Sequence, residues 1–288
     1  MEFRTRVEIE EPGFRIGPCE EMLFVGSCFA DSIGQRFREE GFPVTVNPFG
    51  TMYNPASVFH TIQRLTPCVL TPCVVFLTLG TNHVYRLKET GEIVDNCQKR
   101  PQSLFAEEEL SVDECADYLT RAIELLRQAN PDVRIVLTVS PIRYRKYGYH
   151  GSQLSKATLL LSTHQVIIKL KAQSLKFKVQ SSKFKVNYFP AYEILNDELR
   201  DYRFYAPDML HPSEQAVDYI WERLVETYLS AEAKTFLEEW HPLKQALGHK
   251  PFQPDSPEYL RFQEQTRQRL KAFKDKYPAF NIDNTFVR

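Results

Sequence analysis

The sequence has no apolar run approaching the roughly 20 residues that a membrane-crossing helix needs. Its start, Met1-Glu2-Phe3-Arg4-Thr5-Arg6, lacks the apolar core of a secretory signal. Cysteine is sparse: six in 288 residues, with no Cys-x-x-Cys pair, too few for a disulfide scaffold at this size. The expectation is a cytoplasmic protein with no membrane partner. An excess of one charge is also missing. Lys+Arg total 36 against 37 Asp+Glu, a net charge of -1, which removes the global electrostatic case for a nucleic-acid partner. The 11 glycines are scattered singly, so no phosphate-cradling loop is present. His164, His241 and His249 show no metal-ligand spacing, and His60 sits on a helical pattern where a core or surface role is expected. Neither a cofactor nor a metal is expected.

What is present is an alternation of short apolar runs with helical patterns. Met22–Val25 reads as a strand that stops at Gly26, and Phe29, Ile33 and Phe37 follow as one helical stripe. Pro43–Val46 reads as a second strand. Asn54-Pro55 then looks like an N-cap with proline at the first helical position, and Ala56, Phe59, Ile62 and Leu65 supply the buried face. Val74–Leu79 is a near-continuous apolar run, the signature of a strand covered on both faces. Ser111 to Glu114 has capping-box spacing before Leu119, Ile123 and Leu126. Val133–Val139 and Val186–Phe189 complete five strands. Strands separated by helices predict a three-layer α/β fold with a mostly parallel five-stranded sheet. After Ser213 an amphipathic helix runs through Val217, Ile220, Trp221, Leu224 and Tyr228, and residues 231–245 and 256–276 look helical. Lys176-Phe-Lys-Val179 recurs as Lys183-Phe-Lys-Val186. This alternation suits a β-ribbon with one cationic face, read as a solvated insertion.

Three features could carry chemistry. In Gly26-Ser27-Cys28-Phe29-Ala30 a serine stands where a strand's carboxyl end meets a helix start. Open α/β sheets place ligands at that edge, and the helix N-terminus suits a developing oxyanion. Ser27 is equally well read as an N-cap. Cys28 beside it is read as packing, with a thiol nucleophile as the alternative. Downstream, Asp208-Met-Leu-His211 can hold a histidine by one ring nitrogen and leave the other for a nucleophile. Gly50, after the second strand, and Asn82, after the third, are candidate oxyanion donors or simple turn residues.

In this order, the Ser27 segment, Gly50, Gly80-Thr81-Asn82 and Asp208-x-x-His211 resemble the four blocks of the SGNH/GDSL hydrolase superfamily. More closely, the chain resembles the GSCFA family. Asn47-Pro-Phe-Gly-Thr-Met-Tyr-Asn54, Thr78-Leu-Gly-Thr81, Ser140-Pro-Ile-Arg143, Gln153-Leu-Ser-Lys156 and Tyr202-Arg-Phe-Tyr205 carry the likeness, over roughly residues 20–170 and 186–255. The resemblance implies a flavodoxin-like α/β/α sandwich and a serine esterase or deacylase acting on a small-molecule or carbohydrate ester. It makes Ser27 the nucleophile, His211 the base and Asp208 its orienting group, with Ser27 N–H, Gly50 N–H and the Asn82 amide as oxyanion donors. Tyr53, His83, Arg143 and His150 are expected to line the cleft, Arg143 suiting a carboxylate or phosphate. The chain departs from the pattern at His83, where the superfamily has Asp. It departs from the family at Gln98, Tyr144 and Ser152, where His, His and Asn are frequent. Residues 1–230 are expected to form the hydrolase domain, with an atypical insertion near 171–186. Residues 231–288 are expected to form a helical appendage packed on it. A non-catalytic carbohydrate- or metabolite-binding module and an acyltransferase are the alternative functions.

Overall fold

The computed structural model describes residues 4–65, 72–97, 99–176 and 185–282. The chain runs β1 (Met22–Gly26), α1 (Cys28–Glu39), β2 (Val44–Val46), α2 (Pro55–Leu65) and β3 (Val74–Leu79). It continues through β4 (His83–Leu87), β5 (Ile93–Val94), β6 (Phe105–Glu109), α3 (Val112–Ala129), β7 (Arg134–Val139) and α4 (Gly148–Lys176). Last come β8 (Val186–Tyr188), α5 (Ala191–Glu193), α6 (Glu214–Tyr228), α7 (Ala231–Gly248) and α8 (Pro257–Lys276). Among the described residues, no helix is long and apolar enough to cross a membrane.

β2, β1, β3, β7 and β8 form one sheet in that order, with every pairing parallel. This is the expected α/β architecture. The strands read as apolar runs because both faces are covered. Met22, Phe24, Phe76 and Val136 point into a core shared with α1, α6, α7 and α8. Leu23, Val25, Val75, Leu77, Ile135 and Leu137 point the other way, into a core shared with α2, α3 and α4. Phe24 and Phe76, on adjacent strands, stack with centroids 4.4 Å apart and planes 3° apart.

The local start signals work as read. Asn54 Oδ1 accepts from Ser57 N–H at 2.9 Å ahead of Pro55. Ser111 and Glu114 form a reciprocal capping box. Three elements lie outside the expectation. One is the antiparallel sheet β5-β4-β6, a hairpin-like layer that delivers His83 and Tyr85 to the carboxyl edge of the main sheet. The second is α4, whose buried face holds Ser152, Ser155, Lys156, Ser162 and Thr163 among its apolar residues, so apolar periodicity does not mark it. The third is a π-helical turn, Ile194–Leu199, that follows α5. Residues 177–184, which hold most of the Lys-Phe-Lys-Val repeat, lie outside the described residues. The repeat's last residue, Val186, is a fully buried member of β8 paired with Ile135, so the sheet claims it rather than the insertion.

The C-terminal helices are part of the core. Phe236 and Trp240 of α7 meet Phe273 of α8 and Phe280 beyond it, and Phe236 meets Phe42 after α1. Asn281 N–H donates to Gly41 O at 3.0 Å. Gly41 has φ +82, and a Cβ there would lie 2.0 Å from Phe280 Cε2.

Candidate active site

The junction of β1 and α1 is set by Gly26. Its φ is +143, and a Cβ would meet the Thr78 carbonyl oxygen at 2.0 Å, so only glycine allows the chain to turn this close to β3. Ser27 follows as the N-cap of α1. It is fully buried; its Oγ accepts from Phe29 N–H at 3.3 Å and lies 3.5 Å from Thr78 Oγ1. Ser27 N–H itself donates to Thr78 O at 3.0 Å. Cys28, the first residue of α1, is only partly buried. Burial pushes its thiol up to about 11.

Asp208 and His211 occupy a turn closed by an Ala206 N–H to His211 O bond of 2.8 Å, with Met209 left-handed at φ +60. Asp208 Oδ1 accepts from Leu210 N–H at 2.9 Å and His211 N–H at 3.0 Å, while Oδ2 lies 2.6 Å from His211 Nδ1. The Leu210 N–H, the His211 ring and the His211 N–H hold the Asp208 carboxyl down at about 2. His211 Nε2 has no hydrogen-bond partner among the described residues. Arg143 anchors this turn from the loop after β7. Its N–H donates to Leu210 O at 3.0 Å and its Nη1 to Met209 O at 3.2 Å. Its guanidinium carbon lies 4.3 Å from the Tyr149 ring centroid and 5.2 Å from that of Tyr205.

A cleft of about 660 Å³ opens at this edge of the sheet, lined by Cys28, Tyr53, His83, Arg143, Tyr144 and His211 among others. Its walls are aromatic and cationic. His83 stacks on Tyr147 with centroids 3.5 Å apart and planes 4° apart, and burial lowers the His83 pKa. Tyr53 meets Tyr144 edge-on at 6.0 Å. Lys146 bonds Glu107 at 2.7 Å. Arg145 lines the cleft, exposed. Among the described residues, no group of three His, Cys, Asp or Glu side chains could hold a metal ion.

The GSCFA family model matches residues 21–71 and 68–224, and a model described as the C-terminal domain of GSCFA domain proteins matches residues 240–286. The chain belongs to the GSCFA family. Solved structures similar to this GSCFA protein include a lipolytic protein of the G-D-S-L family from Veillonella parvula, 15% identical over 72% of this chain and 97% of that one, with a TM-score of 0.42. Another is a family 3 carbohydrate esterase from Clostridium thermocellum, 15% identical over 77% of this chain and 98% of that one, with a TM-score of 0.41. A third is a GDSL-like lipase from Bacteroides thetaiotaomicron, 13% identical over 77% and 89%, with a TM-score of 0.42. No curated protein matches the chain.

The GSCFA chain brings His211, Cys28, Tyr53, His83 and Arg143 to one cleft, with Asp208 behind His211. Ser27 is enclosed as a helix cap, and Cys28, partly buried and packed in part against the core, stands among the cleft-lining residues. The reason is that the chain turns into α1 at Ser27, so its short hydroxyl bends back to the helix's own N–H group. Each expected oxyanion donor already makes another hydrogen bond. Gly50, exposed at φ +94, donates its N–H to Asn47 O at 2.8 Å inside a turn. Asn82 Nδ2 donates one of its two N–H groups to Leu110 O at 2.7 Å. His150 is exposed on the first turn of α4 and is not among the cleft-lining residues. Gln98 lies outside the described residues. Sequence reasoning gave no role to Lys156, which is buried behind the cleft; its spacing of four, three and seven from Ser152, Leu159 and Thr163 was the available signal.

Proposed function

We propose that this protein cleaves an ester by covalent acyl transfer, with His211 as general base and Asp208 as the group that orients it. The observation that carries the proposal is the 2.6 Å Asp208–His211 pair on a cleft that also reaches the start of α1. Asp208 occupies Nδ1, so Nε2 is left to exchange protons. The nucleophile adds to the ester carbonyl carbon while His211 takes its proton. His211 returns that proton to the departing alkoxide, and water then opens the acyl-enzyme with His211 again as base. The scheme calls for no metal or cofactor.

Two side chains compete for the nucleophile. Ser27 is the family-based reading; to act, its Oγ must leave the Phe29 N–H and turn out of a fully enclosed position. Cys28 is favoured by its place on the cleft wall with His211. Its thiol, pushed up to about 11, is no standing thiolate and depends on His211 to take its proton. The tyrosine walls suit the flat faces of an acylated carbohydrate or small metabolite. The test pairs an acyl-ester panel with covalent labelling by a fluorophosphonate and by iodoacetamide, read as intact mass. Turnover together with adduct formation at residue 27 or 28 supports the proposal and names the nucleophile. No turnover and no adduct on a ligand that binds would instead assign a non-catalytic binding module.

A further inference from the structure

We infer that Lys156 is a positioning residue of this cleft: its amino group joins the carbonyls of Gly80 and Ser140, which follow two neighbouring strands, and so fixes the surface against which the β1–α1 junction rests. The inference rests on the acyl-transfer reading above and deepens it. Lys156 is 2% exposed, and its Nζ donates to Gly80 O at 2.6 Å and to Ser140 O at 2.8 Å. Those carbonyls stand just past Leu79 and Val139, which face each other in register at the ends of β3 and β7. Beyond this point the strands part. Gly80 leads toward β4, and Ser140 leads into the loop that carries Arg143 and Tyr144. Where the ladder ends, one lysine takes over the bonding.

Gly80 stands beside Ser27 and two of the cleft's walls. A Cβ there would lie 3.1 Å from Tyr53 O, 3.3 Å from Ser27 Cβ and 3.4 Å from Tyr144 Oη. Gly80 N–H and Thr81 N–H both donate to Tyr53 O at 2.8 Å. A displacement at Gly80 is therefore passed to Tyr53 through these two bonds and is felt beside Ser27 and Tyr144. The same helix turn holds the loops on either side: Ser155 Oγ accepts from Asn82 N–H at 3.1 Å, and Ser152 Oγ accepts from Tyr144 N–H at 3.1 Å. Packing alone would be met by methionine, of similar length and without the desolvation cost of a buried amine. That cost is visible in Lys156 itself, whose pKa burial pushes down to about 7. What methionine lacks is the pair of donors.

The experiment compares the parent with Lys156→Met and Lys156→Gln in the full chain, the glutamine keeping an amide donor. Hydrogen exchange over residues 79–82 and 139–144 reads position without any need for catalysis. Turnover on the best ester of the panel reads its consequence. The expected result for Lys156→Met is exchange about tenfold faster in those two segments only. With it, kcat falls about tenfold or more while KM stays within about threefold, and Lys156→Gln recovers part of both. Unchanged exchange overturns the inference, as does local loosening with undiminished kcat, or loss that tracks global unfolding equally in both variants. If the parent turns over no ester, the acyl-transfer reading fails separately, and the exchange result alone decides whether Lys156 holds these two segments.

Discussion

Replacing Ser27 by alanine removes a helix cap, and the structure bounds what that costs. The Phe29 N–H to Oγ bond is 3.3 Å and the Thr78 Oγ1 contact 3.5 Å, both long. Cap removal costs about 0.5–2 kcal/mol, and long bonds place this one near 1 kcal/mol. In a domain of this size that lowers the melting temperature by roughly 2 °C. Against a typical net stability of about 5–15 kcal/mol the folded population is barely changed. Any large loss of turnover in Ser27→Ala is therefore chemical. Cys28→Ala removes the partly buried thiol of a residue that lines the cleft. The placement predicts that Cys28→Ala loses about 10³-fold or more in kcat/KM, about 4 kcal/mol of barrier, together with iodoacetamide labelling. Ser27→Ala is expected to stay within about tenfold. The assay is kcat/KM on a chromogenic acyl ester beside thermal melts and intact-mass labelling. An inactive Ser27→Ala that still melts within a few degrees of the parent, with an active Cys28→Ala, would refute this reasoning and restore the serine. Parent-like activity in both variants would refute covalent catalysis here altogether.

Gly26→Ala should not yield a stable folded protein, because its Cβ would stand 2.0 Å from the Thr78 carbonyl oxygen at φ +143; solubility and urea unfolding check this, and a loss under about 1 kcal/mol would contradict it. Arg143→Lys keeps the charge but forfeits the planar seat among tyrosines and the Met209 bond; kcat should fall about tenfold with stability within about 1 kcal/mol, measured by kinetics and melts. Asn82→Ala should cost about 1–3 kcal/mol by leaving Leu110 O without its donor, with turnover changed less than tenfold; a loss of 10²-fold or more would return Asn82 to the oxyanion role. Lys156 gives a pH signature. Its folded pKa of about 7 lies below the ordinary lysine value of 10.5, so between those limits the unfolded chain binds more protons and stability rises with pH. Below about 7 both states are protonated and the slope vanishes. From pH 7 to 9 the parent should gain roughly 2–3 kcal/mol on Lys156→Met in urea unfolding, and parallel curves would count against a buried, depressed lysine.

The sheet was legible because parallel strands buried on both faces are mostly apolar, and Val74–Leu79 and Arg134–Val139 are so apart from Thr78, Arg134 and Thr138. The caps were legible because serine and asparagine satisfy open helix N–H groups by local geometry. The Asp208–His211 pair could be read for the same reason, since three residues on one turn suffice to form it. What sequence did not disclose depends on neighbours distant in the chain. The turn that encloses Ser27 depends on the close pass of Gly26 against Thr78, 52 residues away. The Asn82 amide gives one of its two N–H groups to Leu110 O, a bond that no local pattern announces. α4 hid because its buried face carries serines, a threonine and a lysine whose partners are loops that no helical period reveals.

The aromatic contact between Phe280 and the Gly41 turn has a bearing on how the chain is made. A ribosome delivers the amino end first, so Phe37, Phe42 and the α1 face of the sheet emerge long before Trp221, Phe236, Phe273 and Phe280, which complete their cover. The opposite half of the core, formed with α2, α3 and α4, has its buried members complete by Val186 and only Tyr192 packed on it from beyond β8. Folding during synthesis is thus lopsided: one side of the sheet can close early, while the other stays open and sticky until the final helix is released. Cells that make this protein faster than α8 can dock, or that stall translation inside α7, would accumulate half-sealed chains, the form that chaperones must hold.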